Sequence, residues 1–437
     1  MAKEMNERIL IVNIHSSRNL GDAALLQVTL QQLQSRFPSS NITLSMDDPA
    51  SYRGIERTIE SIVAWTHPKK PDGTISWNYA NLLWLIPATL LPLFSYRYFK
   101  KANYSLTPRQ LRLLIDVYNQ ADIVISEPGG YLYSSGRGIS LLISVFSIAL
   151  AIFARKPIYF LPQSIGPFKR KWERKMVRWM LNHVRIVMVR EPVSFRTIQS
   201  IGVDQKNVRL VPDLAFALPS SDRELGLKWL HELGIDPKAN GPLMGMTLIN
   251  WGEQNMDFKM QLEYEKACAD AINWFIENTG GKILLFPQVI GPYASQDDRV
   301  PARKVAQLLS KLSDSIYQIE QPLTLELIKA VYSWMDIFIG TRMHSNIFAL
   351  SEGVPVVAIG YLHKTRGMAE MIGIDELFIN IDQVSGNVLV DCVKNLWKNH
   401  QYWKTRIDKV IPGFIQDSTK VGGWVKEDYE QWLRENE

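Results

Sequence analysis

Short β-branched runs alternate with helix-length amphipathic segments along almost the whole chain, and no other feature constrains the fold as strongly. Such alternation calls for parallel sheets covered by helices on both faces, an α/β architecture. The strands expected in the first half are Ile9 to Ile14, Ile42 to Met46, Ile59 to Ala64, Ile123 to Ser126, Ile158 to Leu161, Ile186 to Val189 and Val208 to Val211. Those of the second half are Leu243 to Ile249, Lys282 to Phe286, Ile316 to Ile319, Ile337 to Ile339 and Val356 to Ile359. At 437 residues the chain exceeds what one hydrophobic core usually supports, so two domains are expected. The Pro- and Ser-rich stretch Pro212 to Arg223 marks the junction, giving domains at 1–215 and 216–400. A tail at 401–437, rich in aromatics and charges, could fold back as helices across the seam.

A short echo supports two similar halves. Phe160-Leu161-Pro162-Gln163-Ser164-Ile165-Gly166-Pro167-Phe168 recurs as Leu285-Phe286-Pro287-Gln288-Val289-Ile290-Gly291-Pro292-Tyr293. Each copy reads as an apolar strand ending at a Pro-Gln turn, at equivalent strand ends of two Rossmann-like domains that face each other across a cleft.

Composition narrows the class. Apolar residues make up 46% and charged residues 21%, and Lys plus Arg exceed Asp plus Glu by 49 − 44 = 5, too mild a surplus to imply nucleic acid. Cys268 and Cys392 lack metal-ligand spacing, which fits a reducing compartment and no catalytic thiol. The polar start Met1 to Arg8 runs directly into a strand without a signal-peptide pattern, so the expected location is the cytoplasm. Two apolar stretches, Leu82 to Phe94 and Ile139 to Phe153, fall short of the roughly 20 residues that span a bilayer. The second reads as a buried core helix. The first, with Trp77, Trp84, Arg97, Lys100 and Lys101 around it, would also suit a lipid interface, and Lys169 to Trp179 forms a basic helix with two tryptophans that fits either a solvated face or peripheral contact with an anionic membrane.

Chemistry concentrates in Gly340-Thr341-Arg342-Met343-His344-Ser345. The block follows the strand Ile337 to Ile339, so Arg342 and His344 should emerge at the carboxyl end of a parallel strand where a helix begins, the place at which open α/β sheets bind ligands. The arginine offers a planar fork for carboxylate or phosphate, and the histidine has an ordinary pKa of about 6.5 suited to proton transfer. The same residues also fit a helix start with an ion-paired Arg and a merely hydrogen-bonded His. In the first domain, Asn19-Leu20-Gly21-Asp22 opens a helix whose amide groups favour an anion or a sugar hydroxyl, with Asp22 as helix cap or base. Glu127-Pro128-Gly129-Gly130-Tyr131-Leu132-Tyr133-Ser134-Ser135-Gly136 would let backbone approach a ligand and let Tyr131 and Tyr133 stack on a sugar ring. Arg190 closes the strand Ile186 to Val189 and points toward the same crevice, with a purely structural role as the alternative. No G-x-G-x-x-G fingerprint supports a dinucleotide cofactor.

Together these motifs resemble the polysaccharide pyruvyl transferase family. The likeness rests on Asn19 to Ala23, Gly129-Gly130, Pro162 to Pro167, Arg190-Glu191 with Ser194, Pro212-Asp213, Arg342-Met343-His344-Ser345, Gly353 to Tyr361 and Lys364. The resemblance implies a fold like that of GT-B glycosyltransferases, phosphoenolpyruvate as donor substrate, no further cofactor or metal, and pyruvate transfer as a ketal onto two hydroxyls of a sugar or lipid-linked oligosaccharide in exopolysaccharide synthesis. It implies catalytic roles for His344 and Arg342, donor contacts from Arg190, Arg342, Lys364 and Ser345, and acceptor contacts from Asn19, Gly21, Asp22, Gly129, Gly130, Tyr131 and Gln163. Tyr131 stands where the family commonly has a third glycine, which leaves the acceptor open. The acidic pairs Asp47-Asp48 and Asp297-Asp298 are expected on surface segments. Two rivals share the fold or the composition: a metal-independent glycosyltransferase with Glu352 on a nucleotide ribose, and a non-catalytic glycan-binding protein at the membrane.

Overall fold

The computed structural model describes residues 6–66, 79–134, 139–255, 257–291 and 294–436. Trp77, the Ser135-Gly136-Arg137 end of the glycine loop and the Pro292-Tyr293 end of the second echo lie outside the described residues. The chain forms two units, one of residues 1–17, 25–214 and 419–437, the other of residues 18–24 and 215–418.

In the first unit the order is β1 (Arg8–Ile14), α1 (Leu20–Arg36, its first turn belonging to the other unit), β2 (Asn41–Met46), β3 (Arg57–Glu60), α2 (Ile62–Thr66), α3 (Tyr79–Phe99), α4 (Arg109–Gln120), β4 (Ile123–Ser126) and β5 (Gly129–Leu132). There follow α5 (Ile139–Phe153), β6 (Ile158–Ile165), α6 (Lys171–Leu181), β7 (Ile186–Val189), α7 (Pro192–Ser200) and β8 (Val208–Leu210). The strands pair in parallel in the order β3-β2-β1-β4-β6-β7-β8, with β5 added beside β6. The inner strands β4, β6 and β7 are buried along their whole length, which is why they read as continuous apolar runs, whereas the edge strands β3 and β8 are partly exposed.

The second unit runs α8 (Arg223–Glu232), β9 (Leu243–Thr247), α9 (Trp251–Gln254), α10 (Gln261–Thr279), β10 (Lys282–Phe286), α11 (Arg299–Leu308), β11 (Ile316–Gln318), α12 (Leu325–Tyr332) and β12 (Ile337–Gly340). It continues with α13 (Met343–Ser351), β13 (Val356–Gly360), α14 (His363–Ile372), β14 (Phe378–Asn380), α15 (Gly386–Lys398) and α16 (His400–Ser418). Its parallel sheet has the order β11-β10-β9-β12-β13-β14. Numbered within its unit, the second sheet has the order 3-2-1-4-5-6 of a Rossmann fold; the first follows the same order once the side strand β5 is set aside, with β8 as an extra edge strand, and in each the strand order reverses between the first and fourth strands.

Several expectations are corrected. The strand expected over Ile59 to Ala64 stops at Glu60, because the Ser61 hydroxyl accepts from the Val63 amide (3.0 Å) and starts α2 in the manner of an N-cap. Strands β5 and β14 went unread, the first because paired glycines are poor strand formers and the second because three residues carry no period. The echo is not a register of equivalent positions: Pro162 and Gln163 lie inside β6, beyond β4, whereas Pro287 and Gln288 follow β10, on the opposite side of the reversal point. The tail is helical, as expected, and its two helices divide between the units. Helix α16 belongs to the second unit, where the Lys404 ammonium donates to the Gly353 carbonyl (3.0 Å). Helix α17 (Val421–Asn436) belongs to the first, where Asp428 accepts from Tyr159 (2.8 Å) and Arg185 (2.9 Å).

The Ile139 to Phe153 run forms α5 and is largely buried. The other apolar stretch lies in α3, which has 21 residues; its part Asn81–Phe99 is, by length and composition, the one helix among the described residues able to cross a bilayer. Pro87 and Pro92 both lie inside it. A proline orphans the carbonyl four residues back, and for Pro92 that is the Ala88 carbonyl, which accepts instead from the Thr107 hydroxyl at 2.7 Å. The helix therefore continues through a residue that ordinarily ends one.

Candidate active site

The strand order of the second unit reverses between the parallel neighbours β9 and β12, and Arg342 and His344 stand directly past the end of β12. Arg342 is the residue preceding α13, with extended backbone, and His344 lies in that helix's first turn. The turn is held by a buried hydroxyl network: Thr341 exchanges a hydrogen bond with Tyr264 (2.7 Å), Ser345 with Thr247 (2.7 Å), and the Ser345 hydroxyl donates to the Arg342 carbonyl (2.6 Å). Asn346 donates to the Gly340 carbonyl (3.0 Å). Ser345, expected to touch the donor, is fully buried and serves this turn.

The Arg342 guanidinium is buried and gripped from one edge. Its Nη2 donates to Asp298 at 2.6 Å, its Nε reaches both carboxylate oxygens at 3.2 Å, and Nη2 also approaches the Gln296 carbonyl at 3.4 Å. Burial disfavours the charge, but Asp298 and the Tyr361 hydroxyl outweigh it and hold the guanidinium above its ordinary range. Burial likewise pushes the Asp298 carboxyl up, while Arg342 and the backbone amides of Val289 (2.9 Å) and Gln288 (3.1 Å) pull it back. Asp298 is 1% exposed, which corrects the surface placement of the Asp297-Asp298 pair. The other pair is not a free surface feature either: Asp48 is buried and accepts from Ser16 (2.9 Å), and Asp47 accepts from Ser61 (2.6 Å).

The segment Arg18–Ala24 belongs to this unit. Asn19 bridges to Val289 in antiparallel fashion, the Leu20 amide donates to the Gln288 carbonyl (3.1 Å), and the Ile290 amide donates to the Arg18 carbonyl (3.4 Å). These bonds bring Gly21 against His344. A Cβ on Gly21 would lie 2.5 Å from the ring Cγ and 2.8 Å from Cε1, nearer still to Nδ1, so only glycine fits. The cap of α1 is Asn19, whose Oδ1 accepts from the Gly21 amide (2.9 Å); Asp22 sits half-buried in the first turn and is not that cap. Lys364 lies in the first turn of α14, which follows β13, the neighbour of β12. Trp251, after β9, and Tyr361, after β13, meet with ring centroids 4.5 Å apart.

The remaining expected residues are in the first unit. Arg190 is buried, with Nη1 on Asp213 (2.5 Å) and Nε on Ser164 (2.8 Å). Tyr131 does not present a bare ring: its hydroxyl joins Ser126, accepts from Gln163 (2.9 Å) and donates to the Glu127 carbonyl (3.3 Å). Burial pushes this phenol up. Gly129 occupies a φ of +159°, and Gly130 follows it in β5.

Residues 19–363 match the model of the polysaccharide pyruvyl transferase family. The chain belongs to that family. Lys364 falls one residue beyond the matched stretch. The chain is similar to the amylovoran biosynthesis protein AmsJ of Erwinia amylovora, with 21% identity over 424 residues that span 92% of this chain and 95% of the relative. Solved structures give the fold of this pyruvyl transferase family member independently. Sucrose-phosphate synthase from Thermosynechococcus elongatus aligns with a TM-score of 0.58 at 13% identity, covering 98% of this chain and 99% of the other. A UDP-GlcNAc 2-epimerase from Neisseria meningitidis bound to UDP-GlcNAc aligns at 0.56 and 11% identity, covering 97% and 100%. The fold is GT-B-like, two Rossmann-like domains in one chain.

Local sequence named Asp298 only as a surface residue and Tyr361 only as the end of the Gly353 to Tyr361 motif; their bearing on Arg342 was hidden because both are distant from it in sequence. Gln288, named earlier only in the echo, is 2% exposed, and among the described residues neither atom of its carboxamide has a hydrogen-bond partner.

Proposed function

We propose that this pyruvyl transferase takes its three-carbon unit from phosphoenolpyruvate and installs it as a ketal on two hydroxyls of a sugar. One observation supports this reading most: a guanidinium fixed along one edge by Asp298, beside an imidazole fixed against Gly21, both at the reversal point of the second sheet and at the start of α13. With Asp298 on Nε and Nη2, a substrate carboxylate or phosphate meets the opposite edge of Arg342, and the amides at the start of α13 add a partial positive charge. Lys364, at the start of the next helix, supplies a further cation.

His344 gives a proton to the methylene carbon of phosphoenolpyruvate, and the adjacent carbon becomes oxocarbenium-like. One sugar hydroxyl adds there and loses its proton to the His344 imidazole, which is thereby restored. Phosphate then leaves with its bonding electrons and takes up the proton that the second hydroxyl loses as it closes the ring at the same carbon. The sum is phosphoenolpyruvate plus diol giving ketal plus phosphate. Acid-base assistance of this kind contributes about 10²–10⁴-fold, so His344→Ala should lose activity by that factor without losing its fold.

The nucleotide-sugar rival assigned Glu352 to a ribose. Glu352 follows the far end of α13, ten residues from Arg342 and so roughly 15 Å along the axis. There its carboxylate pairs with the buried Lys329 at 3.0 Å. The deciding test measures phosphate release from phosphoenolpyruvate with galactoside, mannoside and N-acetylhexosamine lipid acceptors, followed by mass analysis of the product. Transfer from a UDP- or GDP-sugar with no phosphate released from phosphoenolpyruvate would reverse the assignment.

A further inference from the structure

The outward face of α3 is apolar where a water-facing helix would be polar. Leu83, Ile86, Leu90, Phe94 and Tyr98 recur at intervals of three and four residues and so form one stripe, exposed except at Leu90, which is partly buried against the core. Leu83 is 83% exposed, Ile86 56% and Tyr98 68%, while the buried side chains Leu85, Ala88 and Leu93 belong to the core on the other side. The stripe is not isolated. Phe94 packs on Phe153 of α5 (ring centroids 6.1 Å apart), and Phe153 packs on Trp179 of α6 (6.4 Å). Leu142 of α5 and both Trp172 and Trp179 of α6 are exposed as well. Three helices of the first unit thus share one apolar, aromatic surface.

Its rim is cationic. Lys100 and Lys101 follow α3, and Lys171, Arg174, Lys175 and Arg178 are exposed on α6. Helices α3 and α5 contain no acidic residue, and the single one in α6, Glu173, is buried and paired with Arg170 at 2.7 Å. Apolar side chains and tryptophans bordered by lysine and arginine match the layering of an anionic bilayer, whose headgroups lie just outside its hydrocarbon.

We propose that the face formed by α3, α5 and α6 docks on an anionic membrane surface, with the α3 stripe immersed and the basic rim on the headgroups. The helix lies on the bilayer and does not cross it. Although Asn81–Phe99 is long enough to span, Leu85, Ala88 and Leu93 are part of the unit's core and Thr107 holds the Ala88 carbonyl, so the segment cannot leave the fold.

The experiment is sedimentation of the full chain with phosphatidylcholine vesicles, with and without phosphatidylglycerol. Binding should require the anionic lipid and weaken with salt. Lys171→Glu and Lys175→Glu should each lower partitioning by on the order of tenfold, and Leu83→Ser with Ile86→Ser should abolish it. Because these side chains are exposed, melting temperature and phosphate release with a soluble acceptor should stay unchanged, which separates failure here from failure of the proposed chemistry. Absence of vesicle binding overturns the proposal. So do equal binding to neutral vesicles, resistance to alkaline extraction as for a spanning helix, and self-association that Leu83→Ser abolishes, which would make the face an interface with a second copy or another protein.

Discussion

The contact between Gly21 and His344 can be tested with one methyl group. In Gly21→Ala the new Cβ would lie 2.5 Å from Cγ and 2.8 Å from Cε1 of the ring, where ordinary contact begins near 3.4 Å. Either the ring or the Arg18–Ala24 segment must give by about 1 Å or more. The segment is pinned by the bonds at Leu20, Ile290 and the Asn19–Val289 bridge, so the ring should yield. Overpacking of this kind costs about 1–3 kcal/mol, and a displacement of about 1 Å at a reacting group can cost on the order of 10²-fold in rate. Phosphate release gives the rate and urea unfolding the stability. The control is Gly413→Ala: Gly413 has nothing within 4 Å of its missing Cβ and lies inside α16, so alanine should add about 0.5–1 kcal/mol and leave turnover alone. A Gly21→Ala enzyme with normal stability and turnover would refute the close packing. Lowered stability with normal turnover would remove His344 from the reaction.

Asp298→Asn leaves the buried Arg342 charge without its carboxylate, which should cost about 3–5 kcal/mol and raise the KM for phosphoenolpyruvate; unchanged values of both would show that Asp298 does not set the guanidinium. Thr107→Val should cost about 1–3 kcal/mol by orphaning the Ala88 carbonyl. In a Pro92→Ala background, which restores the helical N–H, the same change should cost much less, and equal costs in both backgrounds would contradict this account of α3. Asp122 sits below the ordinary carboxylate range: burial pushes it up, but the Arg8 side chain (3.0 Å) and amide (2.9 Å) outweigh that. Its stabilisation is therefore complete above the unfolded value of about 3.9 and is lost as pH falls through the lower folded value. Urea titrations of wild type and Asp122→Asn should differ by a constant above about pH 4 and converge below it, and a gap that widens in acid would reverse the sign.

Most strands were legible because buried parallel strands leave short, continuous apolar runs. Their ends were less so: β3 ended where one serine hydroxyl could start a helix, and β5 was concealed by glycines that read as a loop. Local sequence also exposed the Arg342–His344 pair, since a strand, a polar turn and a helix follow one another within a few residues. It did not show the internal partners of other site residues, for a common reason. Ser345, Asn19 and Tyr131 carry groups that look available to a ligand, and each is engaged by a partner that the fold supplies.

The sequence by itself determined the α/β class, the family and the position of Arg342 and His344 at a strand end, because each is written in contiguous residues. Only tertiary structure decided that Asp298 is buried on Arg342, that residues 18–24 belong with the second unit, and that α3 survives Pro92 through Thr107. Those outcomes depend on groups far apart along the chain, and their energies arise from desolvation and hydrogen-bond completion, which exist only once the groups have been brought together.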